Sequence, residues 1–387
     1  MKKISVFTST RAEYGLLRNL MFEIDRDESL TLQLLVSGTH LAPGYGNSFQ
    51  EISADGFQVT ESVEMLLNSD TDVGKVKSAG LAVIGYSDAL RRMEPDALVV
   101  LGDRFELMAV VYAAFLMQIP IVHLHGGEVT EGAQDDSIRH AITKLSSLHF
   151  VATERYRQRV IQLGESPTSV FNVGALGVDA IVQTTTLSAA EFRHKMKMKV
   201  DENFFLVTYH PVTAADEDPE VTISTLLRVT DEFPEYRVLV TYPNADRGGI
   251  AISNVLDKLV ASHPDRYIAS KSLGSLLYFS ALKYAAVVIG NSSSGLLEAP
   301  VFNTPTLNVG VRQLGRLSSG SVHHCGVDFE SMVVGLRYVL SDSFKKIASE
   351  AIHPFGAGNS SSKIVEIIKP YQFEKTKKFF DLELPCP

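Results

Sequence analysis

Short apolar runs at 4–8, 30–36, 97–101, 119–124, 148–152 and 169–173 alternate with longer stretches whose apolar residues recur every third or fourth position. The runs carry no polar alternation, so each predicts a strand buried on both faces. The stretches near 16–24, 75–93, 105–117 and 137–146 predict helices. Pro95 ends the helix over 75–93, because a proline disfavours helical backbone in the residue ahead of it. The polar, glycine-bearing region 40–70 predicts a long loop with short elements. A second series follows, with strands at 204–209, 236–241, 267–269, 285–289 and 306–309. Its helices are expected at 221–233, 250–262, 273–282, 329–340 and 342–351, with Ser341 as an N-cap, and a last one at 362–368. The chain therefore predicts an α/β protein of two Rossmann-like domains with parallel sheets. The first covers 1–178 and the second 179–358, entered through a polar helical segment at 179–199, and a tail covers 359–387.

Such sheets bind ligands beyond the carboxyl ends of their strands. Arg11 follows the first strand, Asp103 and Arg104 follow Leu101, and Glu128 follows Leu124; Asp135, Asp136, Arg139 and His140 open the next helix. Each has a plain structural reading on its own: Asp103 as a helix cap, Glu128 as a loop carboxylate, Asp135 and Asp136 as partners of a helix dipole. Together on one rim they point to a site. The first turn lacks GxGxxG, which argues against a nicotinamide dinucleotide there.

The second half is organised around 281–300. A strand feeds Gly290-Asn291-Ser292-Ser293-Ser294-Gly295 and a new helix carrying Glu298. Such a turn offers free backbone N–H groups and a positive dipole end to an anion. Ser292 and Ser293 add hydroxyl donors suited to a diphosphate, and Glu298 could accept from the hydroxyls of a ribose. No lysine follows the second glycine, so this is not a Walker A loop. An over-capped helix start is the alternative, and His210 alone reads as a structural histidine.

Composition narrows the class. A chain of 387 residues, 21% charged and 45% hydrophobic, builds sizeable cores. A net charge of -9 argues against nucleic acid as a partner. Cys325 and Cys386 form no redox or metal spacing, and His323-His324-Cys325 lacks a helical i,i+4 pair, so no metal is expected. Met1-Lys2-Lys3 leads straight into a strand and no apolar run reaches about 18 residues, so the expectation is a cytoplasmic protein with no membrane partner.

Several motifs then carry a family resemblance: Thr10-Arg11-Ala12-Glu13-Tyr14-Gly15, Gly102-Asp103-Arg104, His125-Gly126-Gly127-Glu128, the stretch from Asp135 to Leu145, His210-Pro211-Val212-Thr213, and Gly290 to Gly295 with Glu298. In this order the chain resembles the hydrolysing UDP-N-acetylglucosamine 2-epimerases of sialic acid synthesis and the related UDP-N,N'-diacetylbacillosamine 2-epimerases. Ser9 departs from the family's usual glycine, but a small residue still admits a ligand. The Pro-Glu-Glu…Asn-Arg segment and the His-Arg-Arg of the non-hydrolysing branch are absent. The resemblance implies a GT-B architecture with the active site in the interdomain cleft, UDP on the second domain, and the tail crossing back onto the first. It also implies no cofactor, a UDP-sugar substrate, and a homodimer or homotetramer.

Carried over by motif, Arg11, Arg104, His210, Asn244, Ser292, Ser293, Glu298 and Arg312 would contact UDP, with Tyr278 placed to stack on uracil. The implied chemistry needs acid and base groups. The sugar's C2 hydrogen is not acidic until departure of UDP builds oxocarbenium character at C1, after which anti elimination gives a 2-acetamidoglucal that water then hydrates. Asp103, Glu128 and Asp136 are the candidate catalytic carboxyls, with Asp135 an alternative for the last, and His210 serves the departing diphosphate. The competing readings are the diacetylbacillosamine substrate, a retaining GT-B glycosyltransferase, and a silent nucleotide-sugar sensor.

Overall fold

The computed structural model describes residues 1–387 apart from 43–47, 68, 70, 130–133, 212–217, 243–248, 271–272, 375 and 384–387. The apolar runs of the first half become β1 (Lys2–Thr8), β2 (Leu30–Ser37), β3 (Val59–Val63), β4 (Ala97–Leu101), β5 (Ile121–Leu124), β6 (Leu148–Val151) and β7 (Val170–Asn172). They pair in parallel in the order β3-β2-β1-β4-β5-β6-β7. The second half supplies β8 (Phe204–Thr208), β9 (Arg237–Thr241), β10 (Tyr267–Ser270), β11 (Val287–Gly290), β12 (Thr306–Val309) and β13 (Val322–Cys325). Their order, again all parallel, is β10-β9-β8-β11-β12-β13. These are the two Rossmann-like sheets that the strand pattern predicts.

Alternate residues of one strand feed opposite cores, which is why the runs read as continuously apolar. Ile4, Val6 and Val99 pack with Leu17, Met21 and Ile24 of the helix Arg11–Arg26. Phe7, Leu98 and Val100 pack on the other face with Tyr86, Leu90, Leu107 and Val110 of the helices Asp72–Met93 and Phe105–Leu116. In the second sheet Phe205 and Val207 join one core, and Phe204 and Leu206 the other.

The chain divides into two compact units, Met1–Ala180 with Phe355–Pro387, and Ile181–Pro354. The returning segment is held by its helix Ser360–Ile368, whose Ile364, Val365 and Ile368 enter the first unit's core. Asp179 accepts the backbone N–H of Ser360 at 2.9 Å and of Ser361 at 2.6 Å, satisfying orphan donors at that helix's start. Lys2 Nζ donates to the carbonyls of Ile368, Lys369 and Tyr371 at 2.8–2.9 Å, closing its other end.

The structure adds to the sequence pattern a helix at Glu154–Gln162, and it refines or departs from that pattern elsewhere. The short elements expected within 40–70 are a helix, Ser48–Ala54, and the edge strand β3, whose residues alternate in exposure and so look polar in sequence. The segment 179–199, expected to be helical, holds the end of the helix Leu176–Gln183 and the whole of Ala189–Lys195, the second started by a Ser188/Glu191 capping box. His323-His324-Cys325 belongs to the edge strand β13, where the His323 ring packs on Tyr338 with centroids 5.0 Å apart. The helix expected to carry Glu298 is only Ser294–Leu297; Glu298 sits between it and a 3₁₀ turn, Ala299–Phe302, that contains Pro300, which cannot donate to a continuing helix.

Both sheets reverse their winding once, between β1 and β4 and between β8 and β11. Each switch point opens a crevice at the carboxyl ends of its own sheet, and the described candidate residues of each unit lie at those ends.

Candidate active site

In the second unit, β11 runs so close to β8 that a Cβ on Gly290 would lie 2.0 Å from the carbonyl oxygen of Thr208, and Gly290 has φ 137°. Only glycine fits there. The chain then turns through Asn291 to Ser294 into a cavity of about 480 Å³. His210, Tyr278, Ser292, Ser293, Glu298 and Arg312 all line it. Sequence reasoning named each of them; Asn244, also named, lies outside the described residues. Burial raises the carboxyl pKa of Glu298, while Ser294 pulls it the other way. The Tyr278 hydroxyl lies 2.5 Å from Ser294 Oγ, and burial with the nearby Glu298 charge pushes its pKa up to about 12. The floor of the cavity thus holds a carboxylate and hydroxyls, and its rim a cation and the serine turn. This is a donor-and-acceptor set matched to a nucleoside diphosphate.

The first unit gathers the carboxylates. The buried guanidinium of Arg139 pairs with Asp103 and donates to Asp136 Oδ1 at 3.3 Å. Asp136, Arg139 and His140 share one face of the helix Gln134–Leu145, with His140 Nε2 3.5 Å from Asp136 Oδ2. Asp135 is exposed, yet its charge and that of Glu128 reach Asp103. Burial raises the pKa of Asp103 in spite of Arg139, and those two acidic neighbours add to the shift. His125 Nδ1 lies 2.9 Å from Glu128 Oε1 and its Nε2 accepts from the Leu176 N–H at 3.4 Å, so Nδ1 carries the proton and donates to Glu128.

One histidine at this end is not among the residues that the motifs single out. His123 is fully buried, and burial pushes its pKa down to about 3. The Gly102 carbonyl, 2.8 Å from Nε2, can only accept, so neutral His123 donates there and its Nδ1 accepts from the Thr143 hydroxyl at 3.0 Å. This pins the turn that presents Asp103. Arg104 donates to Glu106 Oε1 at 3.0 Å and lies 4.0 Å from Glu13 Oε1. Arg11 is exposed and paired with Glu51 at 2.8 Å. Both arginines therefore sit with first-unit carboxylates.

Glu13 is buried at the third position of its helix, where Oε2 accepts from the Ser9 N–H at 2.7 Å and the Ser9 hydroxyl at 2.9 Å. The Thr10-x-x-Glu13 spacing is a capping-box signature and was the available signal. Burial pushes the Glu13 carboxyl from 4.5 to about 7, against the Ser9 bonds and Arg104. A raised carboxyl favours folding while protonated, so that contribution is present below about pH 4.5 and is lost as pH rises through about 7. The gap corresponds to roughly 3 kcal/mol. Glu13→Gln is expected to remove this slope, gaining on the wild type between pH 5 and pH 8 in urea unfolding; a stability difference that does not vary with pH would refute the assignment.

Two parallel-sheet units, one with a serine-turn anion pocket and one with an arginine-bridged carboxylate cluster, define a GT-B-like nucleotide-sugar protein. A family model described as UDP-N-acetylglucosamine 2-epimerase matches residues 22–369. Among curated relatives, the chain is 41% identical to the Campylobacter jejuni GDP/UDP-N,N'-diacetylbacillosamine 2-epimerase (hydrolyzing), over 83% of each chain. It is 34% identical to the Legionella pneumophila UDP-N,N'-diacetylbacillosamine 2-epimerase (hydrolyzing), over 95% of this chain and 96% of that one. The Neisseria meningitidis UDP-GlcNAc 2-epimerase bound to UDP-GlcNAc shares the fold at TM-score 0.77 and 17% identity, covering 95% of this chain and 99% of that one. The chain belongs to the UDP-N-acetylglucosamine 2-epimerase family, as its motifs imply, and is a 2-epimerase of UDP-sugars. Among the described residues no cluster of three or more His, Cys, Asp or Glu could hold a metal ion, and no helix is long and apolar enough to cross a membrane.

Proposed function

We propose that this protein is a hydrolysing 2-epimerase that converts a UDP-2-acetamido sugar and water into UDP and the free C2-epimeric sugar. The observation that carries the reading is the first unit's carboxylate cluster, Asp103 and Asp136 on one buried guanidinium with Glu128 in electrostatic range. Elimination needs a base at C2 and hydration needs an acid there, so carboxyls held in different protonation states suit it. Asp103, whose proton is held more tightly by burial, differs in environment from the more open Glu128. The second unit's serine turn, Arg312 and His210 supply the donors that stabilise the diphosphate as the C1–O bond breaks and its electron pair leaves with UDP. Arg11 and Arg104 are placed on the same ligand by motif alone.

For the sugar, the diacetylated substrate has the stronger support, since the Campylobacter jejuni relative at 41% identity and the Legionella pneumophila relative at 34% both carry its name, against one relative at 34% named for polysialic acid biosynthesis. UDP-N-acetylglucosamine, giving N-acetylmannosamine, is the second reading, favoured by the sialic-acid motifs. Both sugars share the 2-acetamido group and the C1 leaving group, so one mechanism serves either. Incubation of the pure protein with each UDP-sugar alone tests the proposal. Release of UDP with the C2-epimeric sugar is expected, at higher kcat/KM for the diacetylated substrate. A reversed ratio would exchange the sugars. Turnover that waits for an acceptor, or none at all, would replace the hydrolase with a transferase or a sensor.

The pocket assignment has its own check. Ser293→Ala combined with Glu298→Ala is expected to weaken UDP binding by roughly 2–4 kcal/mol, one neutral and one charged hydrogen bond together. Unchanged affinity by titration calorimetry in a folded variant would take the nucleotide out of this cavity.

A further inference from the structure

β8 and β11 pair as far as Thr208 and Gly290, then diverge into the cavity. At that fork Asn291 is fully buried, and its side chain continues the ladder that the backbone abandons. Its Oδ1 accepts the His210 N–H at 2.7 Å, and its Nδ2 donates to the His210 carbonyl at 2.8 Å. Its own N–H donates to the Thr208 carbonyl at 3.2 Å. Its carbonyl receives Gln313 Nε2 at 2.8 Å and Arg312 Nη1 at 3.1 Å. One residue therefore joins the strand end bearing His210, the serine turn and the loop bearing Arg312.

We infer that Asn291 is a positioning residue for the reaction, whose side-chain amide sets His210 against the departing diphosphate while its backbone carbonyl anchors Arg312 and Gln313. The inference rests on the role given to His210 above. The two halves of the residue have separable duties. Only a primary amide offers a donor and an acceptor side by side, as the His210 backbone requires; an aspartate would set an oxygen against the His210 carbonyl. The backbone carbonyl survives any substitution, so Arg312 keeps its anchor. Loss of the amide should then act on turnover through His210, and little on nucleotide affinity, because a displacement near 1 Å in a catalytic group already lowers rates by about 100-fold.

A double-mutant cycle on kcat tests this, with UDP affinity measured in parallel. Asn291→Ala in the full-length protein is expected to lower kcat by about 10- to 100-fold with UDP affinity within about threefold. The same substitution in a His210→Gln background is expected to have little further effect. Equal losses in both backgrounds, or loss of UDP binding in step with kcat, would overturn the inference. If Asn291→Ala does not fold, the same cycle is run with Asn291→Asp, which keeps the shape; failure of both to fold would make the residue purely structural and overturn it as well. If His210→Gln alone leaves kcat unchanged, the role assigned to His210 is what fails.

Discussion

Asp103→Asn, Glu128→Gln and Asp136→Asn are each expected to lower turnover by about 10²–10⁴-fold, the range of a lost general acid or base. UDP affinity should stay within about threefold of the wild type, because none of the three lines the second-unit cavity. The substitutions preserve shape, so Arg139 keeps an acceptor at positions 103 and 136. Asp103→Asn leaves that guanidinium its bond to Asp136, at 3.3 Å, and so removes a titratable group without stranding a buried cation. Glu128→Gln likewise still accepts a hydrogen bond from the His125 N–H through its amide oxygen. The proof is the split between the two parameters, read from steady-state UDP release and from titration of UDP onto each variant. Near-normal turnover in all three would move the chemistry elsewhere. Loss of UDP binding in step with turnover would give the carboxylates a structural role.

The sequence pattern disclosed the two sheets because their central strands are covered on both faces and so read as unbroken apolar runs. It pointed to a candidate site because the same geometry places polar residues at the strands' carboxyl ends, where Asp103, Glu128, His210 and Ser292 stand out against their surroundings. Edge strands are another matter. β3 alternates between buried and exposed residues, and β13 reads as a histidine cluster, so neither resembles a central strand. Partnerships were hidden too. Nothing in Asp103 or Arg139 as letters says that one buried guanidinium joins Asp103 to a helix face bearing Asp136 and His140; that follows from a helix start facing a strand end across the crevice. The ambiguity between Asp135 and Asp136 is of this kind: a step of one residue turns a helical side chain by about 100°, which leaves Asp135 exposed and Asp136 on Arg139. Glu13 was hidden for a different reason, since the Thr-x-x-Glu signature looks the same in sequence whether the carboxylate is buried on Ser9, as here, or wet.

Reaction in D₂O is expected to place deuterium at C2 of the released sugar. If elimination comes first, the C2 proton leaves on a first-unit carboxylate, and the proton that returns to the opposite face comes from a group that exchanges with solvent. An ¹⁸O label in the C1–O–P bridge should depart with UDP, because the bond that ionises is C1–O and water supplies the new oxygen at C1. The division of groups motivates both outcomes. Hydroxyl and cationic donors line the second-unit cavity, where the proposed reaction would have them stabilise a leaving diphosphate, while the carboxylates proposed to move the proton collect in the first unit around Arg139. A hydride shuttle through a keto sugar would return the original hydrogen and would need a nicotinamide, whose glycine fingerprint the first turn from Thr8 to Gly15 does not carry. Attack of water at phosphorus would leave the bridging label on the sugar. Product that keeps its original C2 hydrogen, or its bridging oxygen, would defeat the elimination scheme, and mass spectrometry of the released sugar and of UDP reads both in one experiment.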